Sequence, residues 1–123
     1  MPDAVKIGDL TRKYLNAAGL KDVTLTAYDH NWDHPEYPTA VFDNSKSFGS
    51  VSWHCYGGEP SAQNDFNLAF PGRQTIMSEC TRVTQNGDEA WSNLRKSAAA
   101  YLTNSIEQGT QAVGTLIRRR QMA

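Results

Sequence analysis

The sequence predicts an α/β fold in which helices cover a parallel sheet. Segments with apolar residues at helical spacing alternate along the chain with short segments rich in β-branched residues. The predicted strands begin at Val23, Val51, Thr75 and Ala112, at intervals of 28, 24 and 37 residues. Because a strand–helix–strand unit joins parallel neighbours, this alternation favours about four βα units in one sheet.

The first predicted elements are a helix and a strand. The helix begins near Asp3, a suitable N-cap residue, and ends at Gly19, which can adopt the left-handed conformation of a helix end. Its apolar residues form one stripe at helical spacing, namely Ile7, Leu10, Tyr14, Leu15 and Ala18. The first strand follows from Val23 to Tyr28, a short segment rich in β-branched residues.

The middle of the chain predicts a second strand and a short helix. The prolines of "DHPEYPTAVFDN" break regular structure and leave about one helical turn at Thr39–Phe42. The second strand runs from Ser50 to Tyr56 and stops at Gly57-Gly58. Ser61 then caps a short helix that Pro71-Gly72 ends. The core side of that helix is predicted to consist of Phe66 and Leu68–Phe70.

The last third of the sequence predicts a third strand, a long helix and a fourth strand. The third strand begins at Thr75 in "QTIMSECT". After a polar loop through Asn86-Gly87, a helix runs from about Glu89 to Gln108 and stops at Gly109. The fourth strand starts at Ala112 in "QAVGTLI". Apolar residues at helical spacing in the long helix are Trp91, Leu94, Ala98, Tyr101, Leu102 and Ile106.

Composition and charge indicate one folded domain and exclude several classes of function. The chain has 123 residues, of which 39% are hydrophobic, enough for one modest core. The net charge of −1 argues against nucleic-acid binding, and we expect Arg118–Arg120 to lie in an irregular basic tail over 118–123. No apolar run reaches the roughly 20 residues of a transmembrane helix, and the acidic start "MPDAVKIGDL" differs from a signal peptide. Without a glycine-rich phosphate loop or a zinc-type cysteine spacing, we expect no cofactor and no metal.

Polar and aromatic residues gather at the C-terminal ends of the first three predicted strands. The first strand ends in Asp29, His30, Asn31 and Trp32, the second in His54 and Tyr56, and the third in Glu79. In parallel α/β folds this edge of the sheet binds ligands.

Alternation of side chains predicts which residues share a face of the sheet. His54 and Tyr56 lie on one face, while Trp53 and Cys55 lie on the other. If Glu79 lies on the functional side, then Met77 lies there too. The residues of the third strand expected to face the helices are Ile76, Ser78 and Cys80.

Each of these residues alone also has an ordinary structural interpretation. A strand-terminal Glu79 is often solvated, and His54 can bind a backbone carbonyl. Asp29 and Asn31 are common turn residues, and Trp32 can pack in a core. Together, however, carboxylate, amide, imidazole, phenol and indole groups at one edge are typical of a sugar site. Sugar hydroxyls bind planar polar groups, and the C–H face of a sugar stacks on aromatic rings.

Four segments follow one another along the chain, namely "YDHNWDHPEYP", "WHCYGG", "SAQ" and "SEC". In this order and at these distances they resemble the glycoside hydrolase family 30 barrels. That family includes glucosylceramidases and fungal endo-β-1,6-glucanases, and its members are secreted or lysosomal. The resemblance covers residues 9 to 117 and implies strands five to eight of an incomplete (β/α)8 TIM barrel. It further implies that Glu79 is the catalytic nucleophile, that Asn31, His54 and Tyr56 line the glycone pocket, and that Trp32 lies close by. The implied substrate is a β-glucoside, either glucosylceramide or a β-glucan.

Several features depart from the family pattern. Retaining hydrolysis needs a second carboxyl group as acid and base, which in this family comes from an Asn-Glu-Pro motif on strand four. The only Glu-Pro here, Glu59-Pro60, follows the second strand and is preceded by Gly58. Thr81-Arg82 stand where the family has a small residue and glycine. The stretch from Val41 to His54 is shorter than in the family, and "RRRQMA" replaces the end of the last strand. We therefore expect residues 1–123 to form a single partial barrel domain that is inactive alone and able to self-associate through open sheet edges.

Three other functions have some support in the sequence. The first is a small, non-catalytic α/β carbohydrate-binding domain, for which four strands suffice. A second is hydrolysis by Cys80 or Ser78 with His54, which the predicted faces disfavour. Metal binding by His30, His34 and His54 is also disfavoured, because Pro35 interrupts the helix that would bring the first two together.

The two cysteines lie on neighbouring strands in this prediction. We expect Cys55 and Cys80 to be small buried hydrophobic residues that face the helices, and a disulfide is the alternative.

Overall fold

The computed structural model describes residues 2–80 and 104–113, together with the single positions 92, 95, 98 and 99. The four described strands form one parallel sheet in the order β1-β2-β3-β4. This arrangement confirms the α/β fold with a parallel sheet. The described elements are, in chain order, α1 (Pro2–Ala17), β1 (Thr26–Asn31), α2 (Glu36–Asn44), β2 (Ser50–His54), α3 (Ser61–Ala69), β3 (Gln74–Glu79), α4 (Ser105–Glu107) and β4 (Ala112–Val113).

The hydrophobic core lies between the sheet and helices α2 and α3. Trp53 of β2 is fully buried and packs edge-on against Phe66 of α3, with ring centroids 6.3 Å apart. Phe66 in turn contacts Phe42 of α2 at 5.1 Å. We call this side of β2 and β3 the core face, and it includes Val51 and Met77. Burial of these large apolar groups provides the main force that holds the helices on the sheet.

Helix α1 packs differently from the prediction. Ile7, Leu10 and Tyr14 of the predicted stripe are exposed. The helix approaches the core through its small residues instead, because a Cβ atom added at Gly8 would lie 2.1 Å from the Phe48 ring. The predicted helix end is confirmed, since Gly19 has a φ of +79°.

Strand β1 begins at Thr26, so the prediction of Val23 as its first residue was wrong. The Arg12 side chain donates hydrogen bonds to the carbonyls of Lys21 and Val23, at 3.3 and 2.5 Å. These backbone groups are thus held by α1 and not by the sheet. The strand also ends later than predicted, at Asn31 and not at Tyr28, so Asp29, His30 and Asn31 lie inside it.

Two helices differ from their predicted bounds. Helix α2 has nine residues, more than the single turn predicted, because Pro38 lies in its first turn, where a backbone N–H has no helical partner. Helix α3 has Pro60 at its N-cap position, so Ser61 is its first residue and not its cap. Leu68 of α3 is exposed, contrary to the predicted core side.

The C-terminal predictions are tested only in part. Strand β4 pairs with β3 through Ala112 and Val113, as predicted, and Gly109 ends the short helix α4 with a φ of +88°. The Asn86-Gly87 loop, most of the long helix and the basic tail lie outside the described residues. Among the residues described, no helix is long and apolar enough to cross a membrane.

Candidate active site

A β-bulge at the end of β3 sets the direction of the Glu79 side chain. Trp53 pairs with Met77, but the next residue of β2, His54, pairs with Glu79, so Ser78 is an extra residue in β3. The prediction that Met77 shares the face of Glu79 was therefore wrong, and Met77 lies buried on the core face. Ser78 was predicted to face the helices, but its hydroxyl reaches Asp29. We call this opposite side of the sheet the site face.

The Glu79 carboxylate has two oxygens in different surroundings. Oε1 accepts a hydrogen bond of 2.9 Å from the Tyr56 hydroxyl. Oε2 lies 3.8 Å from Nε2 of His54, which is too long for a hydrogen bond. The structure thus brings Glu79, Tyr56 and His54 together at the carboxyl end of the sheet. Oε1 is thus held by a hydrogen bond, while Oε2 faces the His54 ring without a hydrogen bond to it.

His54 makes its short contact with Asp29. Nε2 of His54 lies 3.0 Å from Oδ1 of Asp29, and the Ser78 hydroxyl donates to the same oxygen at 2.6 Å. Burial alone would raise the pKa of Asp29, but hydrogen bonds from Ser78 and Ser52, and the charge and hydrogen bond of His54, outweigh it. The pKa of Asp29 is therefore below its ordinary value. This carboxyl is ionised near neutral pH and is poorly suited to donate a proton.

Asn31 contacts the backbone that carries Tyr56. Its Oδ1 accepts a hydrogen bond of 3.2 Å from the Tyr56 N–H. The next residue, Trp32, donates its backbone N–H to the Gly57 carbonyl at 3.0 Å. Gly58 has a φ of +78°, and a Cβ there would meet the Trp32 backbone carbon at 2.4 Å, so glycine is required for this close approach. Asn31 thereby fixes the segment that aims Tyr56 at Glu79.

Trp32 is placed in the hydrophobic core. Its side chain is only 5% exposed and belongs to the same buried cluster as Trp53. Within the described residues its indole Nε1 has no hydrogen-bond partner. The structure therefore brings together four of the five predicted site residues, while the side chain of the fifth, Trp32, is buried in the core.

The two cysteines form a disulfide, so the expectation of buried thiols was wrong. Cys55 and Cys80 are bonded, with their Cα atoms 5.2 Å apart. The bond joins the residue before Tyr56 to the residue after Glu79, at the ends of β2 and β3. A bonded Cys80 has no thiolate, which argues against it as a nucleophile.

Sequence reasoning missed the role of Asp29 and Ser78 in this network. Asp29 was interpreted as a turn residue, and Ser78 was assigned to the wrong face because strict alternation assumes a regular strand.

The ring of His30 stacks on that of His54, with centroids 6.1 Å apart. In the part of the chain that the structure describes, no group of three or more His, Cys, Asp and Glu side chains is arranged to hold a metal ion.

Comparison with known proteins finds relatives among fungal enzymes. The chain is 41% identical over 69 residues to an endo-1,6-beta-D-glucanase of Neurospora crassa, a match of 54% of this chain and 14% of the relative. It is 35% identical over 80 residues to an endo-1,6-beta-D-glucanase of Trichoderma harzianum, covering 59% of this chain and 16% of the relative. The matched region is thus a small part of the length of these curated relatives. They support a glycoside hydrolase relationship for the chain.

Two solved structures share the fold. An endo-beta1,6-glucanase superposes with a TM-score of 0.74 at 21% identity, over 84% of this chain and 25% of its own. SrfJ from Salmonella typhimurium superposes with a TM-score of 0.74 at 16% identity, over 85% of this chain and 24% of its own. No protein-family model matches the sequence.

Proposed function

We propose that this chain is part of a retaining β-glycosidase of the family 30 type, in which Glu79 is the nucleophile. The observation that supports this best is the Glu79 carboxylate at the carboxyl end of a parallel sheet, bound through Oε1 by Tyr56 and flanked by His54. The names of the relatives favour a β-1,6-glucan over glucosylceramide as substrate. We further propose that β1 to β4 are strands five to eight of a (β/α)8 barrel, with residues 1–123 in one partial domain.

The two oxygens of Glu79 have separate roles in this proposal. The Tyr56 hydroxyl fixes the carboxylate plane through Oε1. Oε2 makes no hydrogen bond to His54, so it is the oxygen that attacks the anomeric carbon. Its electron pair forms the glycosyl ester while the C–O bond to the leaving group breaks, and the leaving oxygen takes that bond's electrons. Water later cleaves the ester and restores the carboxylate.

A second carboxyl group must protonate the leaving oxygen and then activate water. Asp29 is the other carboxylate of this network. Its Oδ1 lies 3.0 Å from Nε2 of His54 and Glu79 Oε2 lies 3.8 Å from it, so the two oxygens are at most about 7 Å apart. Distance alone would admit Asp29 as the acid. The lowered pKa of Asp29 argues against this role, because the acid must carry a proton near neutral pH. We therefore place the proton donor outside this network, and we expect no turnover of unactivated glucans by the chain alone.

The sugar is proposed to bind over the exposed polar groups of the site face. Tyr56 is 49% exposed and presents its ring as well as its hydroxyl. The imidazole of His54 and the amide of Asn31 complete a set of planar polar groups for the sugar hydroxyls. Trp32 lies beneath them in the core, so we propose that it supports the pocket floor.

A mechanism-based label tests this function without needing the acid. A 2,4-dinitrophenyl 2-deoxy-2-fluoro-β-glucoside carries a leaving group that departs as a stable anion, and the fluorine slows hydrolysis of the ester. We expect the purified chain to gain one fluoroglucosyl group on the peptide that contains Glu79, as detected by mass spectrometry. Binding of β-1,6-glucan without any label would instead support the non-catalytic carbohydrate-binding domain.

Tyr56→Phe is expected to slow this labelling by about 10-fold. The substitution removes one hydrogen bond to a charged oxygen, which contributes about 1.5–3 kcal/mol, and part of that loss applies equally to the ground state. The rate of mass gain measures the effect. Tyr14→Phe is the matched control, because Tyr14 is exposed on α1, and it should label at the rate of the unmodified chain. Equal rates in the two variants would contradict a role for the Tyr56 hydroxyl.

A further inference from the structure

We propose that Asp29 is a positioning residue that holds His54 away from the attacking oxygen of Glu79. This inference rests on the proposed function of Glu79. It is drawn from the contacts that Asp29 makes with β2, the adjacent strand, and with β3, the next strand of the sheet.

Asp29 links the carboxyl ends of three strands. It belongs to β1, and its Oδ1 contacts Nε2 of His54 on β2 and the Ser78 hydroxyl on β3, at 3.0 and 2.6 Å. Hydrogen bonds to a charged acceptor are stronger than neutral ones, so this carboxylate joins the strand ends more firmly than an uncharged residue would.

The contact with Ser78 acts on the bulge. Ser78 is the extra residue of β3, and Glu79 follows it directly. Because a bulge lacks one regular ladder pairing, its conformation depends on side-chain contacts of this kind. The Ser78–Asp29 hydrogen bond therefore stabilises the backbone turn that directs Glu79 to the site face.

The contact with His54 acts on the nucleophile itself. Nε2 of an imidazole carries at most one hydrogen, which is donated to one strong acceptor. With Asp29 as the nearer acceptor, Glu79 Oε2 at 3.8 Å stays without a hydrogen bond from His54. Without the Asp29 carboxylate, the same N–H would turn to Oε2 and occupy the oxygen that must attack.

The first test compares variants of Asp29 in the labelling reaction of the full chain. Asp29→Ala should lower the rate of labelling at saturating fluoroglucoside by about 30-fold, with a smaller change in the concentration needed for half-saturation. Asp29→Asn keeps an oxygen acceptor for both donors and should recover most of the rate. Asp43→Ala, an exposed aspartate near the end of α2, is the control and should label normally. Equal rates for Asp29→Ala and the unmodified chain would overturn the proposal.

A second variant keeps the test decisive if Asp29→Ala does not fold. Ser78→Ala removes one donor to Asp29 without emptying the site, and it should slow labelling by about 3- to 10-fold. An unchanged rate would contradict the role of the bulge contact.

A second measurement does not depend on labelling and separates this proposal from that of the function. Nitrogen-15 NMR of the His54 ring shows which nitrogen carries the proton and how strongly its environment changes. Asp29→Ala should move the Nε2 resonance of His54 much more than Glu79→Gln does, since Asp29 is the nearer acceptor. The opposite order would refute the positioning role of Asp29. If the native chain gains no fluoroglucosyl group but the His54 resonance shifts more in Asp29→Ala than in Glu79→Gln, only the assignment of Glu79 as nucleophile is refuted.

Discussion

Glu79→Gln abolishes covalent labelling of the chain, with an expected loss in rate of about 10⁴-fold or more. The amide has no anionic oxygen to attack the anomeric carbon, so the glycosyl ester cannot form. The substitution keeps the shape of the side chain, and its amide oxygen can still accept the hydrogen bond from Tyr56. The loss should therefore appear without a change in the denaturation midpoint. Mass spectrometry of the intact protein at successive times measures the rate of labelling for the native chain and for Glu79→Gln.

The control for this result is Glu107→Gln, which alters an exposed glutamate on α4 and should leave labelling unchanged. Azide provides a further check with the non-fluorinated dinitrophenyl glucoside. In Glu79→Ala the azide anion can enter the space of the carboxylate, attack the anomeric carbon and expel the dinitrophenolate. The product would be an α-glucosyl azide, with inverted configuration. Retained labelling in Glu79→Gln, or release of dinitrophenolate that azide does not accelerate in Glu79→Ala, would show that the nucleophile is misassigned.

The sequence predicted the location of the site better than its orientation. Parallel strands place their carboxyl ends at one edge, so Glu79 and His54 were expected to be neighbours, and the structure places them together. The direction of each side chain was then inferred from strict alternation, which failed at Ser78. A bulge depends on contacts between strands, and no residue type in "MSEC" indicates one.

Asp29 and Trp32 illustrate a second limit of sequence reasoning. An aspartate near a strand end is common in turns, so nothing local indicates that Asp29 contacts side chains of both β2 and β3. Trp32 was assigned to the pocket with its neighbours, yet its side chain is buried. In both cases the deciding factor is tertiary packing. The same holds for α1, where contact through Gly8 leaves Ile7 and Tyr14 exposed.

Loss of the Cys55–Cys80 disulfide should lower the free energy of unfolding by about 3 kcal/mol. The cysteines are 25 residues apart in sequence, and closing a loop of that length restricts the unfolded chain by about this amount. For a domain whose total stability is about 5–15 kcal/mol, this is a large effect. Cys55→Ala/Cys80→Ala, purified beside the oxidised native chain, should show it as a lower midpoint in urea denaturation with a similar slope.

The same change should slow labelling, because the bond joins the residues next to Tyr56 and Glu79. When the bond is lost, the ends of β2 and β3 can separate, and the 2.9 Å hydrogen bond between Tyr56 and Glu79 becomes less populated. Reductant provides the matched control, since it should lower the stability of the native chain to that of the double variant and leave the variant unaffected. Equal midpoints for native and reduced protein, with two thiols that can be alkylated once the unreduced chain is unfolded, would instead support the original expectation of buried cysteines. In that case the pairing of β2 with β3, the Asn31–Tyr56 hydrogen bond and the Asp29 contacts would hold Tyr56 beside Glu79 without a covalent link.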